Sequence, residues 1–322
     1  MKVDHDTKSD TTEDRLSSNQ REKPLKRHEQ LLRDFWAIEQ ESAKNADALG
    51  YMTRILAQAT LPHTEPALPP GTMYSRSTGL LTLNISPTTR KYGIPYGTIP
   101  RVVLAWICTE ATRTRERNLS LGKSQREFLE KIQLHSNGRD IARMREQCMR
   151  LFRAVVTVEY EDDQVEHSQR LPITRSDTIF WHKKSADVQS LWNSELELTE
   201  EFFKEIIAHP VPLDLRVFHA LSKSPLAMDI YTWLTYRMFV LLATGQRLAR
   251  VPWVGLKAQL GTNIADTPEG LRLFKSRFKQ RLREVLLFYP DAQGHVRDAG
   301  SYLQLTPCKL HLPAPVDRRA LR

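Results

Sequence analysis

Arg272, Lys275, Arg277, Lys279, Arg281 and Arg283 crowd one stretch, "PEGLRLFKSRFKQRLREV", where only Glu269 and Glu284 oppose them. Like charges three or four residues apart on a helix repel by a few tenths of a kcal/mol per pair. A helix built this way implies a polyanion that compensates the repulsion. The chemistry available is phosphate neutralisation by lysine and arginine, and two-pronged donation by arginine to guanine O6 and N7, worth about 1–3 kcal/mol of discrimination. Leu271, Phe274, Phe278, Leu282 and Val285 recur in steps of 3 and 4 and predict a buried stripe. On the other face, Arg272, Lys275, Ser276 and Lys279 are placed to reach base edges, with Arg283 further along. Arg277, Arg281 and Arg283, with Lys257 before the helix and His295 and Arg297 after it, are expected at phosphates. A weaker version comes earlier: Arg139, Arg143, Arg150 and Arg153 share a face, interrupted by Glu146, opposite Ile141, Met144, Cys148, Leu151 and Phe152. For that face, phosphate contact competes with a plain surface or protein-interface role.

The totals agree with a nucleic-acid partner. The chain of 322 residues carries a net charge of +9, the electrostatic footprint of a protein that meets polyanions. No apolar run is long enough to span a bilayer, and the opening "MKVDHDTKSD" lacks the apolar core of a secretory signal. Cys108, Cys148 and Cys308 are widely spaced, which fits reduced thiols in a cytoplasm rather than a disulfide framework or a zinc site.

Enzyme readings find little support. "GKS" at Gly122–Ser124 would need glycine at 117 to be a phosphate-binding loop, and that position is Arg117. His135, His182, His209 and His219 lack metal-ligand spacing, and no nucleophile elbow occurs. Tyr302 follows "HVRDAG" in a predicted hairpin rather than a recombinase active site. No catalytic residue, metal or cofactor is expected.

Elements must position these residues. Residues 1–30 hold seven basic and seven acidic side chains with little apolar content, which predicts a disordered tail. Residues 31–59 predict an amphipathic helical segment, broken near Gly50. Residues 60–70 carry four prolines and predict an extended linker. "MYSRSTGLLTLNIS" reads as strand, turn, strand. There follow a buried helix around Trp106, a short strand "NLSLG", a helix capped by Ser124 with Glu127 three residues on, a third helix from Gly138, and a hairpin of "AVVTVEYED" with "TRSDTIFWHKK". The second half repeats the order: a buried helix around Trp233, strand "RLARVPW", helix "WVGLKAQLG", the long basic helix, and hairpin "GHVRDAGSYLQLTP". The expectation is a helix-rich α+β chain with two tandem winged-helix domains, at 71–185 and 186–310, and a tail at 311–322. In such a domain the third helix enters the major groove.

"GIPYGTIPR" at Gly93–Arg101 and "LAWICTEA" at Leu104–Ala111 closely resemble the RepA-type plasmid replication initiators, in which G-[IL]-P-Y-G-x-[IV]-P-R and L-A-W-x-x-T-E-A lead into the first domain. The resemblance runs through "GRDIARMREQCMRLFRAVVTV", "LTEEFFKEIIAHPVPLDLRVFHAL" and "SRFKQRLREVLLFYPDA", from about Met73 to Pro307, and leaves residues 1–60 outside. It implies two winged-helix domains that bind direct repeats (iterons) at a plasmid origin in a bacterial cytoplasm. The long helix, Pro268–Phe288, would read bases, and the first domain would add backbone contacts or a dimer interface. Monomers would open the origin and help load the host helicase, with the host initiator as a further partner. Homodimers would repress their own gene. The alternative is a winged-helix transcriptional repressor without an initiator role.

Overall fold

The long basic helix starts where its caps say it should. The Thr267 side chain accepts a hydrogen bond from the Gly270 N–H at 3.1 Å, and Pro268 occupies the first turn, where its missing N–H costs nothing. The structure, a computed structural model, describes residues 26–38, 43, 45–58, 60–69, 71–77, 81–134, 138–161, 166–180, 193–261 and 264–313. In chain order the elements are α1 (26–38), β1 (Leu49–Thr53), α2 (Arg54–Gln58), β2 (Tyr74–Ser77), β3 (Leu81–Pro87), α3 (Thr98–Thr114), β4 (Asn118–Gly122), α4 (Gln125–Lys131), α5 (Gly138–Phe152), β5 (Ala154–Glu161) and β6 (Glu166–Pro172). They continue with β7 (Thr174–Thr178), β8 (Ser194–Leu198), α6 (Glu200–Ala208), β9 (Pro210–Asp214), α7 (Leu215–Ala220), α8 (Pro225–Ala243), β10 (Ala249–Pro252), α9 (Trp253–Leu260), α10 (Pro268–Phe288), β11 (Val296–Asp298) and β12 (Tyr302–Leu305). The chain is α+β.

Four antiparallel sheets organise these elements, with strand orders β1-β9, β2-β3-β5-β6, β4-β8-β7 and β10-β12-β11. In the last two, the strand between the first two helices of each half pairs with the second strand of the hairpin that closes that half. One continuous core joins α3 and α8, with Val103, Ile107 and Cys108 from one and Ile230, Trp233 and Leu234 from the other. The predicted stripe of α10 is buried at Phe274, Phe278, Leu282 and Val285, with Leu271 packed at its edge. Phe278 meets Trp253 edge-on at 5.3 Å and Trp233 at 6.2 Å, geometry that aromatic quadrupoles favour.

Several expectations are corrected. Residues 49–53 form a strand rather than a helix, paired antiparallel with β9 from Leu49–Asp214 to Thr53–Pro210. The close approach depends on glycine, because a Cβ at Gly50 would lie 2.4 Å from Leu215 Cδ2. The 3–4 spacing of Met52, Ile55 and Leu56 fits a helix, but pairing with a distant strand overrides so short a local pattern. The hairpin partner of β5 is β6, in register from Val155–Pro172 to Glu161–Glu166, whereas "TRSDT" pairs with β8. The boundary expected at 185/186 lies outside the described residues; on either side of it β7 and β8 pair with each other, and β8 pairs with β4 as far as Glu197.

The 60–70 segment is no free linker either. Thr60 and Leu61 are buried, and the Pro62 carbonyl accepts from the Gly97 N–H at 3.0 Å. Residues 26–30, expected in the disordered tail, belong to α1. This helix docks on the second half: Phe35 meets Phe288 edge-on at 6.4 Å, and Arg27 pairs with Glu284 at 2.7 Å. Residues 311–313, assigned to a tail, continue the second half, since the His311 ring packs between Tyr231 and Tyr289 and Leu312 is buried. The rest of both predicted tails lies outside the described residues.

Candidate nucleic-acid interface

Burial of Phe274 and Phe278 rotates the polar side of α10 outward. Arg272, Lys275, Ser276, Lys279, Gln280 and Arg283 line one shallow, open concavity of about 560 Å³ along the helix. The four expected base-edge residues and Arg283 thus share one face, as the 3.6-residue period requires. Arg272 is exposed, its side chain 74% open to solvent and paired within the helix to Glu269. Arg277 is exposed but does not line the concavity.

The hairpin β11–β12 folds back against the same face. Asp298, at the end of β11, accepts from Lys279 Nζ at 3.0 Å, from Trp253 Nε1 at 3.0 Å and from the Gly300 N–H at 3.1 Å. Lys275 lies 3.7 Å from the same carboxylate, donates to the Gly300 carbonyl at 2.6 Å and sits 5.0 Å over the Trp253 ring. Burial alone would push the Asp298 carboxyl up, but the donors from Lys279, Trp253 and Gly300 and the Lys275 charge together hold it below the ordinary carboxylate range.

Other expected phosphate contacts are committed inside the fold. Lys257 is only 6% exposed, and its ammonium pairs with Asp266 across the turn between α9 and α10. A buried cation beside a carboxylate closes that turn; it is not available to a backbone phosphate. Arg281 pairs with Glu284, which also receives Arg27, so this arginine helps seat α1. His295 is half-buried, with Nδ1 3.0 Å from Thr306 Oγ1 inside the hairpin. Arg297 is exposed and donates to the Gly294 carbonyl at 2.9 Å, at the hairpin's outer edge.

The first half diverges more. Arg143 is exposed, 3.9 Å from Asp140; the side chain of Arg139 lies outside the described residues. Arg150 is engaged with Glu65 at 2.7 Å, Glu146 at 2.6 Å, the Ile94 carbonyl at 3.2 Å and the Tyr96 ring at 5.1 Å. Arg153 pairs with Asp177 at 3.2 Å and lies 5.0 Å over the Tyr92 ring. Both are structural cations that hold the 60–70 segment and the β7 strand to α5. The "GKS" stretch is a helix start: Ser124 Oγ accepts from the Glu127 N–H at 3.1 Å, while Glu127 accepts from the Lys123 N–H at 2.8 Å.

Sequence reasoning passed over two features. Asp298 lay in a hairpin whose charge balance was read only from its basic members. Arg101 and Asp229 are lone opposite charges within the apolar runs "IPRVVLAW" and "AMDIYTWL". A single charge in a buried helix needs a partner, and two such helices of opposite sign were the available signal. Their pairing turns the "GIPYGTIPR" motif into a structural hub: Gly97 has a positive φ of 80°, and its carbonyl accepts from Arg101 at 2.6 Å. Ile94 and Tyr96 bond Arg150 and Gln147 of α5 through their backbones.

No described helix is long and apolar enough to cross a membrane. Residues 94–253 match the family model described as "Plasmid encoded RepA protein". The matched region begins within the Gly93–Arg101 motif and ends at the first residue of α9, so α10 lies beyond it. Two crystal structures of RctB domains 2 and 3, one of a selenomethionine derivative, are similar at 14% identity and a TM-score of 0.45. They cover 80% and 79% of this chain, and the matches span 97% and 96% of theirs. At that TM-score the likeness carries no further argument. No curated protein sequence matches the chain. By the match over 94–253, the chain belongs to the family of plasmid-encoded RepA proteins.

Proposed function

We propose that this protein initiates plasmid replication by binding direct repeats of double-stranded DNA at the plasmid origin, with α10 as the helix that reads bases. Family membership supports the initiator role. The observation that carries the reading of α10 is the single exposed face on which Arg272, Lys275, Ser276, Lys279, Gln280 and Arg283 converge. A helix with a fixed apolar back and a basic polar front fits a major groove about 12 Å wide. The matching sheet orders β4-β8-β7 and β10-β12-β11 support two tandem winged-helix units, the first of which loses Arg150 and Arg153 to internal pairs and so contributes less to DNA. Two units on one chain make the second engagement intramolecular, which raises affinity without a new contact.

On this reading the protein acts in the bacterial cytoplasm, uses no cofactor and performs no catalytic step of its own. It opens the origin, hands it to the host helicase with the host initiator, and represses its own gene as a homodimer. A nuclease footprint on the DNA flanking its gene, at two salt concentrations, tests the proposal. Several protected direct repeats at near-helical phasing are expected. A protein that neutralises about six phosphates loses roughly 10³-fold in affinity between 50 and 200 mM salt. One protected palindrome would replace this reading with a repressor, and protection insensitive to salt would remove α10 from the interface. Nicked or covalently joined DNA on a denaturing gel would overturn the non-catalytic assignment.

A further inference from the structure

The carboxylate of Asp298 sits where a DNA-binding surface should least tolerate one. It lies at the tip of the hairpin, beside the concavity of α10, and repels any phosphate that approaches there. Yet it is built in from several directions. Trp253 Nε1 and the Gly300 N–H fix Oδ1, Lys279 Nζ fixes Oδ2 at 3.0 Å, and Lys275 is held 3.7 Å away while bonded to the Gly300 carbonyl. The indole that donates to Asp298 also lies beneath the Lys275 ammonium, and it is buried against Phe274 and Phe278. One carboxylate therefore locks the hairpin, the start of α9 and two of the cations on the exposed face of α10 into a single arrangement.

A lysine is a flexible point charge that will neutralise whichever phosphate it reaches. Tethering it has two consequences: the ammonium becomes a donor of fixed position, and its contribution to indiscriminate phosphate binding falls. Specificity is a difference between two affinities, and weakening the wrong complex raises it as surely as strengthening the right one. Resting on the proposed reading of α10, we propose that Asp298 is a specificity-determining positioning residue: by holding Lys275 and Lys279 against the hairpin it suppresses binding to random duplex and preserves discrimination for the cognate repeat.

The test is Asp298→Asn, whose amide retains an acceptor for Trp253 and Gly300 but removes the charge. Affinities for the footprinted repeat and for a scrambled duplex of equal length are measured across a salt series. The scrambled duplex should bind about 3- to 10-fold more tightly and with a salt slope steeper by about one to two, as one or two lysines join the phosphate contacts. The cognate repeat should gain less, so the ratio of affinities should fall by about 2- to 5-fold. Adding Lys279→Gln to that variant should reverse most of the gain on scrambled DNA. A ratio unchanged from wild type, equal weakening on both duplexes, or a gain that survives Lys279→Gln overturns the inference while leaving DNA reading by α10 intact. If wild type itself shows no salt-sensitive binding, the underlying reading fails instead. Should D298N lose its cooperative melt, Asp298→Ser, which keeps a short acceptor for the Gly300 N–H, gives the same comparison.

Discussion

Arg101 and Asp229 stand 128 positions apart and meet in a two-pronged pair, Nε to Oδ1 at 2.7 Å and Nη2 to Oδ2 at 2.8 Å. The remaining donors of Arg101 go to the carbonyls of Leu61, Pro62 and Gly97, so all five of its N–H groups are used. His63 adds a contact to Asp229 at 2.7 Å. Burial would push the Asp229 carboxyl up, but the Arg101 charge and the bonds from His63 and Arg101 bring it down to about 2. This joint ties α3, α8 and the 60–70 segment together, and so fixes how the two halves pack on each other. A buried pair gains little over an apolar replacement, but breaking it strands a charge. Asp229→Asn should therefore lower stability to urea by about 3–5 kcal/mol, whereas Arg101→Met with Asp229→Leu should recover most of that loss.

Arg272 and Arg283 occupy one face but different ends of α10, and their losses should look different. Arg272→Ala removes a forked donor from the N-terminal part proposed to meet base edges, and should cost about 1–3 kcal/mol at one base position while relaxing preference there. Arg283→Ala should weaken every duplex alike and reduce the salt slope by about one. Competition assays with singly substituted repeats separate the two. Uniform loss in both variants would mean that α10 is not the reader.

Lys257 gives a contrasting case. Because its ammonium is buried against Asp266, Lys257→Ala should lower the thermal midpoint and leave the salt slope of DNA binding unchanged. A slope reduced by about one, without loss of stability, would return this lysine to the phosphate contacts.

His219, in the last turn of α7, carries a pH dependence whose sign is clear. Burial pulls its imidazole from 6.5 to about 4. Between those values the unfolded chain binds a proton that the folded one does not, so stability is fully present above about 6.5 and falls as pH drops toward 4, by up to roughly 3 kcal/mol. Glu205 acts oppositely: burial, partly offset by the Arg54 charge, raises its carboxyl to about 6, so its contribution is lost as pH rises through that value. The gain in urea stability from pH 5 to pH 7 should therefore be smaller in His219→Asn than in wild type, or reversed in sign as the Glu205 contribution is left unopposed. An unchanged difference would show that the imidazole titrates normally in the folded protein.

What the sequence by itself determined is what local period and local chemistry encode. The stripe Phe274–Phe278–Leu282–Val285, the face that carries Arg272, Lys275, Ser276 and Lys279, the Thr267–Pro268 start of α10 and the Ser124–Glu127 cap all depend on residues within a few positions of one another. The kinship with RepA proteins rested on short contiguous motifs in the same way. Tertiary structure decided which charges remained free. Lys257, Arg150 and Arg153 look like free surface cations in the sequence, yet each is taken up by an acid that only the folded chain brings near: Asp266, Glu65 and Asp177. It also decided that 49–53 is a strand, that β5 pairs with β6, and that Asp298 answers Lys275 and Lys279. An ion pair or a strand pairing is a statement about distance in space, and a hydrophobic period constrains only which way a side chain faces, not what waits there to meet it.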